Sequence, residues 1–95
     1  MIYLQQLQPQ IDFGFGVTQK SVQIENAVTI WLGTLYNEEA YTFQLSVSSG
    51  TYTKMSDYEY QLYYTQRGIY TISLAVTQKA TGIRLMSNTL TLTVT

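Results

Sequence analysis

The chain contains no histidine and no cysteine among its 95 residues. These two residue types supply the commonest general base, the thiol nucleophile and most of the zinc ligands found in enzymes. Six acidic residues leave carboxylate-pair chemistry open in principle. The one adjacent pair, Glu38 and Glu39, lies in a polar stretch that predicts a solvated turn. We therefore expect no enzymatic activity, no cofactor and no metal site.

Charged residues are scarce as well, at 12% of the chain with a net charge of −1, where about 25% is usual in soluble domains. The five scattered basic residues offer no electrostatic surface for nucleic acid. Nine tyrosines accompany the low charge, and this combination is typical of the centre of a protein–protein interface. The composition favours an assembly protein over the alternative, a Thr- and Gln-rich β-protein with an ordinary neutral surface.

No apolar run approaches the roughly 20 residues that a membrane-spanning helix needs, so we expect no membrane partner. The start of the chain lacks the basic and apolar regions of a secretory signal. If Met1 is the natural start, the protein stays in the producing cell until lysis or assembly releases it. Pro9, the only proline, predicts that residues 1–10 form an extended arm or an edge strand before a single domain at 11–95.

Short runs of alternating apolar and polar residues, separated by turn signals, follow along the chain. They predict an all-β sandwich of about seven antiparallel strands. The clearest alternation covers 41–49, 58–64, 69–77 and 89–95. Residues 21–35 fit either one long kinked strand or two strands. The last run, 89–95, has neither charge nor proline, so it predicts a bare edge strand that a partner covers.

Two further stretches predict contact surfaces. A strand over 11–17 would place Gly14 and Gly16 together on one face. Glycines at alternate strand positions indicate a bulge, a site where an aromatic ring from the facing strand lies flat, or a groove for a neighbouring chain. The stretch 49–57 is polar and begins with a Ser-Gly turn signal, which predicts a loop with Tyr52 as its exposed aromatic contact.

The stretch 63–78, YYTQRGIYTISLAVTQ, combines a glycine, a tyrosine two residues later and an alternating strand. It resembles the signature of polycystic-kidney-disease (PKD) domains, an immunoglobulin-like family. The matching positions are Tyr64, Gly68, Tyr70, Thr71, Ser73, Leu74 and Val76. The later Gly82 and the closing strand 89–94 also fit, so the resemblance covers 63–94. The resemblance implies an Ig-like sandwich in which Gly68 turns a corner and the Tyr70 hydroxyl reaches an upstream backbone group, as in a tyrosine corner. The first half of the chain lacks the family's Trp-x-Phe-Gly-Asp-Gly loop.

Small Ig-like and PKD-like domains occur as accessory proteins of bacteriophage capsids and tails, so the resemblance implies a structural role. We expect a virion component made in the host cytoplasm, such as a capsid decoration or tail-associated protein. Its partners would be capsid or tail subunits, or further copies of itself. The predicted partner contacts are Ile2, Tyr3, Leu4, Leu7, Gly14, Gly16, Tyr52 and Met55.

The alternative is an adhesion or carbohydrate-binding module at a cell surface. In that case the exposed aromatic side chains would carry the binding, because a flat ring can stack on a sugar. Trp31 and Tyr52 are the candidates for such stacking. The sequence leaves this alternative open.

Overall fold

The computed structural model describes residues 8–95, which form strands and turns and contain no helix. The strands are β1 (Ile11–Asp12), β2 (Gln19–Val22), β3 (Val28–Leu32), β4 (Tyr41–Val47), β5 (Thr51–Ser56), β6 (Glu59–Tyr63), β7 (Gly68–Gln78), β8 (Arg84–Met86) and β9 (Leu90–Val94). One sheet has the order β1-β3-β6-β5, and the other has the order β2-β9-β7-β4 with β8 beside β7. The two sheets enclose one apolar core. The predicted all-β sandwich is confirmed.

The core is built from alternate residues of the central strands. In β7, the inward side chains of Ile72, Leu74 and Val76 are completely buried. In β9, Leu90 and Leu92 are buried to the same extent. Each such side chain stabilises the fold by about 1.5–3 kcal/mol relative to an exposed one. The core-facing sides predicted from alternation in these two strands are confirmed.

Residues 19–32 form two strands that belong to different sheets. β2 runs parallel to β9, with Gln19 opposite Thr91 and Val22 opposite Val94, so this strand pair departs from the predicted antiparallel arrangement. The chain changes sheet near Glu25, whose φ is +66°. Period-two alternation identifies strands but carries no information about the direction of a partner strand, because side chains alternate in both arrangements.

β9 is not an edge strand, because β2 covers one of its sides and β7 the other. The prediction of a bare edge at 89–95 is therefore wrong. The outer strand at this side is β2, which carries Lys20, and a lysine on an edge discourages pairing with other chains. The uncharged sequence of β9 fits its place inside the sheet.

The predicted loop over 49–57 is also wrong, since residues 51–56 form β5 at the edge of the first sheet. The register against β6 shifts between Lys54 and Ser56, so Met55 is the extra residue of a bulge. Lys54 Nζ lies 2.6 Å from Asp57 Oδ1 at the end of the strand. An edge strand needs few apolar residues, so the polar sequence of β5 resembles that of a loop.

The end of the predicted arm lies against the sandwich. Pro9 is buried, and the Gln10 carbonyl accepts a hydrogen bond from the Gly33 N–H at 2.8 Å. The Gln10 N–H donates to Thr34 Oγ1 at 3.0 Å. The contacts predicted at Ile2, Tyr3, Leu4 and Leu7 lie outside the described residues.

Asn88 joins β1 to the break between β8 and β9. Its Oδ1 accepts a hydrogen bond from the Ile11 N–H at 2.8 Å, and its Nδ2 donates to the Ile11 carbonyl at 2.9 Å. The side-chain amide therefore satisfies both backbone groups of a residue that is only 1% exposed. Buried backbone groups need such partners, so Asn88 fixes where β1 attaches to the second sheet.

Candidate interaction surfaces

The chain turns sharply after Asp12, so the strand predicted over 11–17 is wrong beyond this residue. The two Asp12 carboxylate oxygens accept hydrogen bonds from the N–H groups of Gly14 at 2.9 Å and Gly16 at 3.1 Å. The Phe13 N–H donates to the Val17 carbonyl at 2.8 Å and closes the turn. Aspartate commonly organises turns in this way, and its side chain competes with strand pairing.

Gly14 and Gly16 have φ values of +113° and +77°, a region that glycine enters without steric cost. At neither glycine does any atom lie within 4 Å of where a Cβ would stand. Neither a flat aromatic ring nor a closely approaching chain accounts for these glycines within the described residues. They are required by the backbone conformation of the turn, and their role as partner contacts stays a prediction.

Phe15 stands at the tip of this turn with its side chain fully exposed, at 109% of the reference area. Its φ is +53°, and a non-glycine residue there costs about 1–2 kcal/mol. An exposed ring also lacks the stabilisation of about 1.5–3 kcal/mol that burial in the core would give. In the strand predicted over 11–17, Phe15 lies on the apolar face opposite Gly14 and Gly16, so the sequence did not identify it as an exposed contact. The Asp12-organised turn, residues 12–17, is the first candidate surface.

The second candidate surface is the open edge of β4. Within residues 8–95 no strand pairs with this side of Tyr41–Val47. On the other side, the Lys79 N–H donates to the Ala40 carbonyl at 2.9 Å and the Ser48 N–H to the Thr71 carbonyl at 3.0 Å. Backbone bonding alternates along an antiparallel pair, so the even-numbered positions of β4 bond to β7. The positions that direct their N–H and C=O groups to the open edge are Tyr41, Phe43, Leu45 and Val47.

The other outer strands carry features that hinder pairing with a further chain. β5 has a bulge and Lys54, β2 has Lys20, and β8 has three residues including Arg84. β1 has only two residues and follows Pro9 closely. β4 has seven residues with no charge and no proline, so it is the outer strand best able to accept another strand.

Gln44 covers a small part of this edge. Its Nε2 donates to the Leu45 carbonyl at 3.2 Å and to the Tyr52 hydroxyl at 3.2 Å. The Tyr52 ring contacts the ring of buried Tyr60, with centroids 6.3 Å apart. Tyr52 is therefore half-buried on β5, the edge strand of the first sheet, rather than exposed in a loop. Met55 of the β5 bulge is exposed.

A cavity of about 410 Å³ opens at one end of the sandwich, beside Gly50, Tyr64 and Tyr70. The two tyrosine rings stack with centroids 3.9 Å apart. The Tyr70 hydroxyl donates to the Gln66 carbonyl at 2.7 Å, whereas the buried Tyr64 hydroxyl has no hydrogen-bond partner among the described residues. Burial, with a smaller contribution from Tyr70, raises the pKa of Tyr64.

The two stacked tyrosines allow a matched comparison. We expect Tyr64→Phe to leave the free energy of unfolding unchanged or to raise it by up to about 1 kcal/mol, because it removes a buried unpaired hydroxyl. Tyr70→Phe should lower the free energy of unfolding by about 1–2 kcal/mol, because the Gln66 carbonyl loses its donor. Urea unfolding of both variants measures the difference. Equal losses would contradict the absence of a partner at Tyr64.

The exposed aromatics of the first sheet do not form a continuous platform. Trp31 lies opposite Glu59 and Tyr63 lies opposite Thr51. Tyr63 is four residues beyond Glu59 along β6, which corresponds to about 13 Å along a strand. A sugar ring stacked on Trp31 would therefore not reach Tyr63.

No helix in residues 8–95 has the length and apolar character needed to cross a membrane. In the same part of the chain, no group of three or more acidic, histidine or cysteine side chains is placed to hold a metal ion. The exposed Phe15 makes the Asp12-organised turn one candidate surface, and the unpaired side of β4 is the other.

No protein-family model matches the chain, and no curated protein sequence matches it. The fold is similar to part of the endo-beta-1,4-mannanase from Thermotoga petrophila, with a TM-score of 0.57 and 9% sequence identity. The similarity covers 97% of this chain and 21% of that chain, so this chain spans about a fifth of that protein's length. At such low identity the likeness concerns the fold, and it assigns no functional residue.

Proposed function

We propose that this protein is a non-enzymatic assembly protein that acts through protein–protein contacts. The single observation that carries the proposal is Phe15, a fully exposed aromatic side chain on a turn fixed by Asp12. The setting that we propose is a bacteriophage virion, in which the protein is a capsid decoration or a tail-associated component. The virion setting rests on the resemblance of residues 63–94 to PKD domains.

An immunoglobulin-like fold is part of the proposal, and the strand order supports it. The sheets β1-β3-β6-β5 and β2-β9-β7-β4 correspond in order to the ABED and GFC sheets of immunoglobulin domains, with a split first strand. The hydrogen bond from the Tyr70 hydroxyl to Gln66, four residues upstream, supports the same assignment. Immunoglobulin-like folds have many different functions, so the fold alone does not specify what this protein does. The function has to be argued from its exposed surfaces.

Phe15 has the properties of an interface anchor. Aromatic residues dominate the binding energy of protein interfaces when they insert into a pocket of the partner. The hydrogen bonds from Gly14 and Gly16 to Asp12 hold the turn in one conformation before binding. Less conformational entropy is then lost on association, which favours affinity. If a partner buries the Phe15 ring, the free energy gained by burial offsets the backbone cost of the positive φ at Phe15.

The experiment replaces Phe15 by the photoreactive amino acid benzoyl-phenylalanine in cells that produce the virus particles. We expect irradiation to link position 15 to a capsid or tail subunit in the particle fraction. The matched control carries the same amino acid at Ile69, an exposed apolar position on β7, and should give no such link. Absence of the protein from particles, with no link from position 15, would overturn the proposal.

A point substitution measures the strength of the same contact. Phe15→Ala should weaken association with particles at least about tenfold, because it removes the anchor. The control Leu35→Ala removes another exposed apolar side chain and should leave association unchanged. Neither substitution removes a buried contact, so both variants should unfold at the temperature of the unsubstituted protein.

Carbohydrate binding at a cell surface is the second candidate function. The observation that favours it is the fold likeness to part of a mannanase. The exposed ring of Trp31, with Asp12 and Glu59 opposite it on the adjacent strands, would be the stacking position. Saturable binding of a β-1,4-linked mannooligosaccharide, abolished by Trp31→Ala, would favour this role over assembly.

A further inference from the structure

The open edge of β4 points to a second copy of this chain as its occupant. We propose that two copies pair their β4 strands antiparallel, about a two-fold axis that passes between the two Gln44 residues. The pairing would join the two β2-β9-β7-β4 sheets into one continuous sheet. This dimer rests on the proposed assembly role, but it uses a different surface from the Asp12-organised turn.

The backbone of β4 is suited to this register. Tyr41 of one copy lies opposite Val47 of the other, and Phe43 lies opposite Leu45. These are the positions whose N–H and C=O groups face the open edge. Directly opposed residues of this type exchange two hydrogen bonds per pair, so the four pairs form eight bonds. If the register shifts by two residues, only three of these four pairs remain. The register centred on Gln44 therefore forms the most hydrogen bonds.

The side chains of β4 are self-complementary in the same register. On the core-facing side, each aromatic residue of one copy lies opposite an aliphatic residue of the other. On the outer side, Thr42 lies opposite Ser46, and Gln44 lies opposite Gln44 at the axis. Aromatic–aliphatic and hydroxyl–hydroxyl pairs are favourable combinations across antiparallel strands. The sequence YTFQLSV has this property because its aromatic half and its aliphatic half are arranged symmetrically around Gln44.

The acidic residues next to β4 favour antiparallel over parallel pairing of the two β4 strands. The acidic residues Glu38 and Glu39 precede β4, and β4 itself is uncharged. In the antiparallel dimer these acids lie beside the neutral Ser48–Gly50 turn of the second copy, and the two acidic pairs are at opposite ends. A parallel pairing would bring both acidic pairs to the same end, where like charges repel.

Gln44 changes its partner when the dimer forms. In the single chain its Nε2 bonds to the Leu45 carbonyl and to the Tyr52 hydroxyl. The dimer needs the Leu45 carbonyl as an acceptor for the second copy. The Gln44 amide must release this carbonyl, and it then faces the Gln44 amide of the second copy at the axis. This side chain therefore covers the edge in the monomer and lies at the centre of the dimer interface.

Introduced cysteines test the register directly, because the chain has no cysteine of its own. Gln44→Cys places the two thiols opposite each other at the axis, with Cβ atoms about 4.5–5.5 Å apart. Mild oxidation should convert most of this variant into a disulfide-linked dimer. The control Ser46→Cys sets the two thiols four residues apart along the strands, about 13 Å, and should remain unlinked. Equal linking of both variants, or of neither, would overturn the register.

Charge at the axis tests association without a covalent bond. The monomer has a mass of 10.8 kDa, and light scattering against concentration should rise toward twice that value for the unsubstituted protein. Gln44→Lys opposes two lysines at the axis and should raise the dissociation constant at least about tenfold. Thr71→Lys adds the same charge to an exposed position on neighbouring β7 and should dimerise normally. A monomer at millimolar concentration would overturn the dimer.

The two proposals fail separately. Phe15→Ala should leave the dimer intact, and Gln44→Lys should leave the photo-crosslink from position 15 intact. Loss of the dimer alone, with the crosslink retained, would overturn this inference and keep the assembly role. Loss of the crosslink together with a monomeric protein would overturn both.

Discussion

Gly50→Ala should lower the free energy of unfolding by about 2–5 kcal/mol, as the sum of a backbone cost and a steric cost. Gly50 has φ +89°, where an alanine costs about 1–2 kcal/mol. A Cβ at this position would also lie 2.3 Å from Tyr64 Cε1 and 2.6 Å from Tyr64 Cδ1. The Tyr64 ring cannot move away easily, because it is buried and stacked on Tyr70. The turn into β5 or the stacked pair must shift.

Gly82→Ala is the control that isolates the steric contribution. Gly82 also has a positive φ, +73°, but no atom lies within 4 Å of its Cβ position. Gly82→Ala should therefore lower the free energy of unfolding only by the backbone contribution, about 1–2 kcal/mol. Urea unfolding of both variants at one pH measures the two losses. Equal losses would mean that the Tyr64 ring accommodates the added methyl group.

The central strands could be predicted from the sequence because their environment repeats with period two. β7 and β9 are covered on one face by the core, so Ile72, Leu74, Leu90 and Leu92 are apolar, and their sequence neighbours are polar except for Ala75. The edge strand β5 escaped prediction because its Lys54 and Met55 are both exposed. Without a buried face on every second residue, an edge strand has no distinctive pattern.

The candidate surfaces were harder to predict from the sequence than the central strands. Phe15 fits the alternation of a buried strand, and only the hydrogen bonds of Asp12 with Gly14 and Gly16 remove it from that strand. An aspartate followed by two glycines was the available signal for a turn. The edge position of β4 depends on which strands lie beside it, and this is set by long-range contacts that local patterns do not encode.

Asn88→Ala is the second substitution with a large expected effect, a loss of about 2–4 kcal/mol in the free energy of unfolding. It removes the partners of both the Ile11 N–H and the Ile11 carbonyl. Ile11 is 1% exposed, so water does not reach these groups without local opening. Each buried group left without a partner costs about 1–3 kcal/mol. The attachment of β1 to the second sheet should weaken most.

The control for this substitution is Asn37→Ala. Asn37 Oδ1 accepts one hydrogen bond, from the Glu39 N–H at 3.0 Å, in an exposed turn. Water replaces the lost acceptor there, so this variant should lose no more than about 1 kcal/mol. Amide hydrogen exchange adds a local measurement. In Asn88→Ala the Ile11 N–H should exchange much faster. Amides in the middle of β7 should exchange faster only as far as the lower free energy of global unfolding requires. Unchanged protection at Ile11 would mean that another group replaces Asn88, and β1 would then be attached by packing rather than by this side-chain amide.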